Sequence, residues 1–362
     1  MADHTIGALP VDARDITPDL LNAALAPAFP GIKLKSIRID DAHHGFSTVL
    51  RVHLEEDSLS KASGVPRSIM YKSQFEASTW SKAREYTYKS LEMEFHGYTF
   101  LPELGVAMPK IFFKQLDPER SQMVMLMEDL GLRAVRFQRG LSPNTPEQVK
   151  RRLTAMAQYH AKTWGSPEHQ PGGRYHVLPS NGASMFVDFM DHAETEKDWP
   201  HFISLPRSAA CPVKFHDFDW LKRLLIYAGD LSDEQPFCVV HGDTHLGNLY
   251  EEEDGTPGFF DTLARRESGL LEASYHIVNA MDPIDRRKYD RDLIRHYRDV
   301  LIANGANPPS MASMMHQFAA YISVNYVTFV VNQPTYQSEA FNTVHAMRAA
   351  QAMMDHDSFD IV

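Results

Sequence analysis

The feature that most constrains the fold is a single change of periodicity near Gly131. Upstream, the segments KLKSIRID, STVLRVHLE, SIMYKSQF, KIFFKQL and SQMVMLME carry alternation and β-branched residues, the mark of strands. Gly45 permits a tight turn between the first two, and the polar stretch from Glu56 to Pro66 reads as a hairpin connection. Two helices break the series. One starts at Thr17-Pro18-Asp19 and runs to about Ala26, and the other covers roughly residues 78–101 before Pro102 and Gly105 end it.

Downstream the spacing becomes helical. Thr145-Pro146-Glu147-Gln148 is a capping box, and Val149, Leu153, Met156, His160 and Trp164 then recur on one face. Further helices are expected near residues 181–194, 216–230, 284–304, 309–330 and 338–355. The pattern predicts an α+β architecture with two lobes. Residues 1–130 form a small β-rich lobe, a five-stranded sheet plus a helix, and residues 131–362 form a larger α-helical one. With 43% hydrophobic residues the chain can bury a core of that size.

A formal net charge of −11 argues against nucleic acid, whose phosphates require clustered Lys and Arg. Two cysteines, Cys211 and Cys238, are too few for a disulfide framework or a Cys-rich zinc site. The N-terminus shows no basic region followed by an apolar stretch, and ISVNYVTFVV is too short and too interrupted to span a membrane. A cytoplasmic chain with no membrane partner is the expectation.

Within the α-rich half, one segment stands out. The apolar run Phe237-Cys238-Val239-Val240 leads directly into His241-Gly242-Asp243-Thr244-His245-Leu246-Gly247-Asn248. A second apolar pair, Phe259-Phe260, precedes Asp261. Two adjacent strands joined by a turn at Asp254-Gly255 would bring Asn248 and Asp261 to the same end of a hairpin-like unit. This set suits phosphoryl transfer, which needs a base near the acceptor hydroxyl and hard oxygen ligands for Mg2+. Asp243 supplies the base, and Asn248 and Asp261 supply the ligands. Taken singly, each of these residues could equally serve to satisfy loop backbone groups.

The combination His241, Gly242, Asp243, His245, Asn248 and then Asp261 resembles the HGDxHxxN signature and second-strand Asp of the aminoglycoside phosphotransferase and choline kinase-like superfamily. Within it the chain is most similar to the ecdysteroid kinase-like branch. The resemblance implies a bilobed protein-kinase-like fold, ATP and Mg2+ as cofactors, and a hydroxylated small molecule as acceptor. It places Lys72 on the strand that grips the nucleotide phosphates. Glu92, with Glu94 as the alternative, becomes that lysine's partner. The stretch Met125–Leu130, including Glu128, becomes the hinge whose backbone holds adenine. Ser47 and Thr48 follow Gly45 in the counterpart of the phosphate-covering turn. His241 and His245 lie beside the site, and His160 belongs to a helix motif as a hydrogen-bonded core residue. Two positions depart from the family pattern: Thr262 stands where Trp or Phe is usual, and Glu272 where Asp is.

Rival readings remain at this level. Gly242-Asp243-Thr244-His245 also resembles the GDxH box of metallophosphatases, though no GDxxD or GNH accompanies it. A kinase-fold binding protein without catalysis, and a protein kinase, are the other two. The phosphotransferase reading requires Asp243, Asn248 and Asp261 to converge opposite Lys72.

Overall fold

The computed structural model describes residues 4–40, 43–44, 47–75, 84–180, 182–191, 193–333 and 336–362. The chain divides into two compact units. One comprises residues 1–98 and 108–135, the other residues 99–107 and 136–362.

In the first unit, helix α1 (Pro18–Leu25) is capped by Thr17, whose hydroxyl accepts from Leu20 N–H, with Pro18 in the first turn. The strands are β1 (Leu34–Ile39), β2 (His43–His44), β3 (Thr48–Glu56) and β4 (Ser68–Ser73). Helix α2 (Arg84–Glu103) follows, then β5 (Ile111–Asp117) and β6 (Gln122–Glu128). They form one antiparallel sheet in the order β1-β3-β4-β6-β5, with the two-residue β2 paired to β3.

Strand alternation splits the core of this sheet in two. Val124 and Leu126 of β6, with Ile69 and Tyr71 of β4, pack with Leu21 and Leu25 of α1. Met123, Met125 and Met127 point the other way and pack with Leu91 and Tyr98 of α2. Met70 joins that second cluster, so Lys72, two residues on, shares its face.

The second unit opens with the short strand β7 (Arg136–Phe137) and helix α3 (Pro146–Thr163). Thr145 and Gln148 form the expected capping box, and Val149, Leu153, Met156 and His160 are buried. Residues 166–180 hold two short 3-10 turns. Helices α4 (Gly182–Asp191), α5 (Ala193–Ser204), α6 (Pro206–Ala209) and α7 (Phe218–Asp233) follow. The sequence pattern had indicated α4 and α7, but not α5, whose interior Pro200 reads as a breaker.

Strands β8 (Cys238–Val240), β9 (Leu249–Glu251), β10 (Pro257–Phe259) and β11 (Arg265–Glu267) come next. They form two small sheets, β10-β9-β7 and β11-β8. Helices α8 (Gly269–Ala280), α9 (Pro283–Ala303), α10 (Met311–Val331) and α11 (Glu339–Asp355) complete the unit. The sequence pattern did not single out α8. All twelve of its residues are buried, so it has no solvent-facing stripe for periodicity to detect. No helix among the described residues is long and apolar enough to cross a membrane.

Candidate active site

The predicted hairpin is present. Strands β9 and β10 pair antiparallel from Leu249–Phe259 to Glu251–Pro257. Phe260 N–H donates to the Asn248 carbonyl at 3.0 Å, which closes the ladder one step beyond the strands. Asn248 and Asp261 therefore emerge at the same end.

Asp243 reaches them from the loop after β8. The Asn248 side-chain amide donates to the Asp243 carboxylate Oδ2 and to the Asp243 carbonyl, both at 3.0 Å, and to the Asp261 carbonyl at 3.3 Å. Three acceptors on one side fix which end of the amide is NH2, so Oδ1 faces the opposite way. Asp261 has φ +56°, in the left-handed region that few residues other than Gly, Asn and Asp adopt. Asn248 Oδ1 and the Asp261 carboxylate are hard oxygen donors of the kind Mg2+ takes, and one amide with one carboxylate suffices for an ion that keeps most of its waters. The donor set thus fits the ion.

The loop itself is held from below. Gly242 has φ +86°, and a Cβ there would lie 2.1 Å from the Leu263 carbonyl oxygen, so only glycine fits. Gly242 N–H donates to Glu272 Oε1 at 2.7 Å, and Arg265 Nη2 donates to the Gly242 carbonyl at 2.9 Å. The other Glu272 oxygen receives Tyr159 OH at 2.6 Å and His160 Nε2 at 2.7 Å. Burial alone would raise the Glu272 carboxyl, but the hydrogen bonds and charge of His160, with His241 and Tyr159, hold it down at about 2. The Glu in place of Asp is thus long enough to reach a backbone amide of the loop while keeping two donors on its far oxygen. Thr262, the other departure, donates its hydroxyl to the His241 carbonyl at 2.7 Å.

Both site-adjacent histidines support the loop. His241 is fully buried, donates from Nε2 to the Phe260 carbonyl at 3.1 Å and accepts Asp243 N–H on Nδ1 at 3.3 Å. Burial lowers its pKa, which agrees with a neutral ring. With both nitrogens engaged, it cannot be the zinc ligand that a His241–His245 spacing suggests. His245 accepts Gly247 N–H at 2.9 Å and places Nε2 3.7 Å from Asp243 Oδ2. Among the described residues no group of three or more His, Cys, Asp or Glu side chains could hold a metal. A cavity of about 400 Å3 in this unit is lined by Arg151, Tyr159, Lys162 and Asp254 among others, and includes none of the predicted site residues.

In the first unit, Lys72 is buried on β4 with Val49 and Met125 opposite it in register. Its ammonium lies 2.6 Å from Glu94 Oε1, with both side chains 7% exposed. The first-choice partner, Glu92, is corrected here: Glu94 makes the pair. Leu91 and Tyr98 define the face of α2 that packs on the sheet, with Phe95 alongside. Glu94 falls on that face, whereas Glu92 is turned about 100° from Leu91 and lies beside Tyr88. That apolar stripe was the signal that could have decided between them.

Ser47 is half-buried and Thr48 is buried, opposite Ser73 at the start of β3. Gly45 lies outside the described residues. Glu128 ends β6, with its carboxylate 3.2 Å from Arg133 and accepting Lys110 N–H at 3.2 Å. Its neighbour Asp129, which sequence reasoning passed over, accepts from Arg51, Ser68 and Gly131 N–H and so ties β3 and the start of β4 to the turn after β6.

The profile of the phosphotransferase enzyme family (APH) matches residues 38–261, more than half the chain, and its span takes in Lys72, Asp243, Asn248 and Asp261. The chain belongs to the phosphotransferase enzyme family. No curated protein matches it. Among solved structures, it is similar to an aminoglycoside phosphotransferase-like protein of Ralstonia eutropha, at 13% identity and a TM-score of 0.48, over 89% of this chain and 92% of that one. The choline kinase LicA of Streptococcus pneumoniae is similar at 11% identity and a TM-score of 0.47, over 93% and 98%. An aminoglycoside 2'-phosphotransferase-IIIa variant bound to GDP is similar at 10% identity and a TM-score of 0.49, over 94% and 97%.

Proposed function

We propose that this member of the family transfers the γ-phosphate of ATP to a hydroxyl group of a small molecule. The observation that carries this reading is the Asn248 amide. It donates through its NH2 to the Asp243 carboxylate and to the Asp261 carbonyl, which leaves Oδ1 for a cation. One side chain thereby ties the proposed base to the proposed metal site.

The mechanism follows from these residues. Asp243 receives the acceptor hydroxyl and takes its proton as the new oxygen–phosphorus bond forms. The bond to the β-phosphate bridging oxygen breaks, and ADP leaves. Asn248 Oδ1 and the Asp261 carboxylate hold Mg2+, which when bound neutralises charge on the transferred group. Lys72 donates to nucleotide phosphates, and Glu94 keeps its ammonium charged and aimed. Thr48 starts β3, the strand next to that of Lys72, with Ser47 just before it, and the backbone around Glu128 carries the adenine contact. The resemblance to the ecdysteroid kinase-like branch favours an apolar alcohol as acceptor.

The test is ADP formation from ATP and Mg2+ against a library of hydroxylated metabolites. Asp243→Ala should lose turnover by at least about a thousandfold while binding nucleotide almost as the parent does. Near-parental turnover in that variant would refute the base assignment.

A further inference from the structure

Three successive residues of the catalytic loop are each held by one face of α8. Glu272 accepts Gly242 N–H at 2.7 Å, Tyr275 OH donates to Asp243 Oδ1 at 3.0 Å, and His276 Nδ1 donates to the Thr244 carbonyl at 2.9 Å. Positions 272, 275 and 276 are spaced i, i+3 and i+4, so one helical face makes all three contacts. The first and third grip backbone groups and set the path of the loop. The second lands on the side chain that reads as the base.

Tyr275 is built to hold that oxygen still. Its ring is 6% exposed and stacks on Phe329, with centroids 6.2 Å apart and planes at 20°. Burial, and then the Asp243 carboxylate beside it, raise the phenol well above its ordinary value, so it stays a donor. Asp243 Oδ2 is taken by Asn248. A carboxylate with a donor on each oxygen cannot turn about its Cβ–Cγ bond without breaking one of them. Its remaining lone pairs then point in fixed directions, and an acceptor hydroxyl meets a preset geometry. Tyr275 also lies beyond the stretch that the family profile matches.

We infer that Tyr275 is a positioning residue for phosphoryl transfer, fixing the plane of the Asp243 carboxylate together with Asn248. The inference rests on Asp243 acting as the base.

The experiment compares the parent chain, Tyr275→Phe, Asp243→Ala and the double variant. The measurement is ADP formation from ATP and Mg2+ with water as acceptor, so no alcohol has to be identified first. Tyr275→Phe keeps the stacked ring and removes only the hydroxyl. Its kcat should fall roughly tenfold, the effect of one hydrogen bond to a charged group, with KM for ATP and the thermal midpoint unchanged. In the Asp243→Ala background the same substitution should change the residual rate no further, because the group it acts through is gone. A parental kcat in Tyr275→Phe, or an equal loss in both backgrounds, overturns the inference. Undiminished turnover in Asp243→Ala alone overturns the base assignment itself, and is read before Tyr275 is touched.

Discussion

Lys72 and Glu94 are placed by regular secondary structure, as are Asn248 and Asp261 at the end of a hairpin, whereas Asp243 is placed by other side chains. In the first unit a strand position and a helix position bring two charges within 2.6 Å, and the backbone ladder of β3, β4 and β6 supplies the rigidity. In the second unit the proposed base, Asp243, lies on a loop with no ladder of its own. Glu272, Tyr275, His276, Arg265 and Asn248 replace it with a buried polar network. Such networks are costly when incomplete, so the two regions should respond very differently to single substitutions.

Gly242→Ala should be the most damaging. The added methyl meets the Leu263 carbonyl at 2.1 Å in a left-handed backbone conformation. The expected loss is roughly 4 kcal/mol of stability, read by urea unfolding, with turnover gone.

Glu272→Gln should follow, at about 3 kcal/mol, since it leaves His160 and Tyr159 facing a neutral group in a sealed site. Its signature is a changed acid limb. The Glu272 carboxyl is held at about 2 in the folded chain against 4.5 as the ordinary value. Its contribution is therefore complete above pH 4.5 and lost as pH falls through 2. His276 is depressed by burial, and next by Arg152, to about 3 from 6.5, so it resists protonation in the fold and costs stability as pH drops below 6.5. Unfolding measured against pH should show both segments in the parent. The variant should lose the lower segment and keep the upper.

The regular half should be more tolerant. Glu94→Gln is expected to raise KM for ATP roughly tenfold by removing one charge-assisted hydrogen bond, with little loss of stability. Glu92→Gln should leave KM within about twofold, since it lies off the packed face of α2. Reversed results for the two glutamates would dissolve the contrast between the units.

The same contrast explains what could be read without coordinates. The loop His241–Asn248 and Asp261 were legible because an apolar run, a polar cluster and a second apolar pair leave few ways to fold. The hairpin of β9 and β10 is local, and its residues are neighbours in the chain. The choice between Glu92 and Glu94 was open because two positions apart on a helix differ in face, not in chemistry. The grip of α8 was not legible at all. Tyr275 lies 32 residues from Asp243, and a tyrosine in a buried helix reads as core.

That wholly buried helix has a consequence for how such an enzyme can diversify. With none of its twelve residues facing water, α8 offers no position where drift is cheap. New substrate preferences must therefore arise on segments that leave this support untouched, and the chemistry can persist while the choice of substrate wanders.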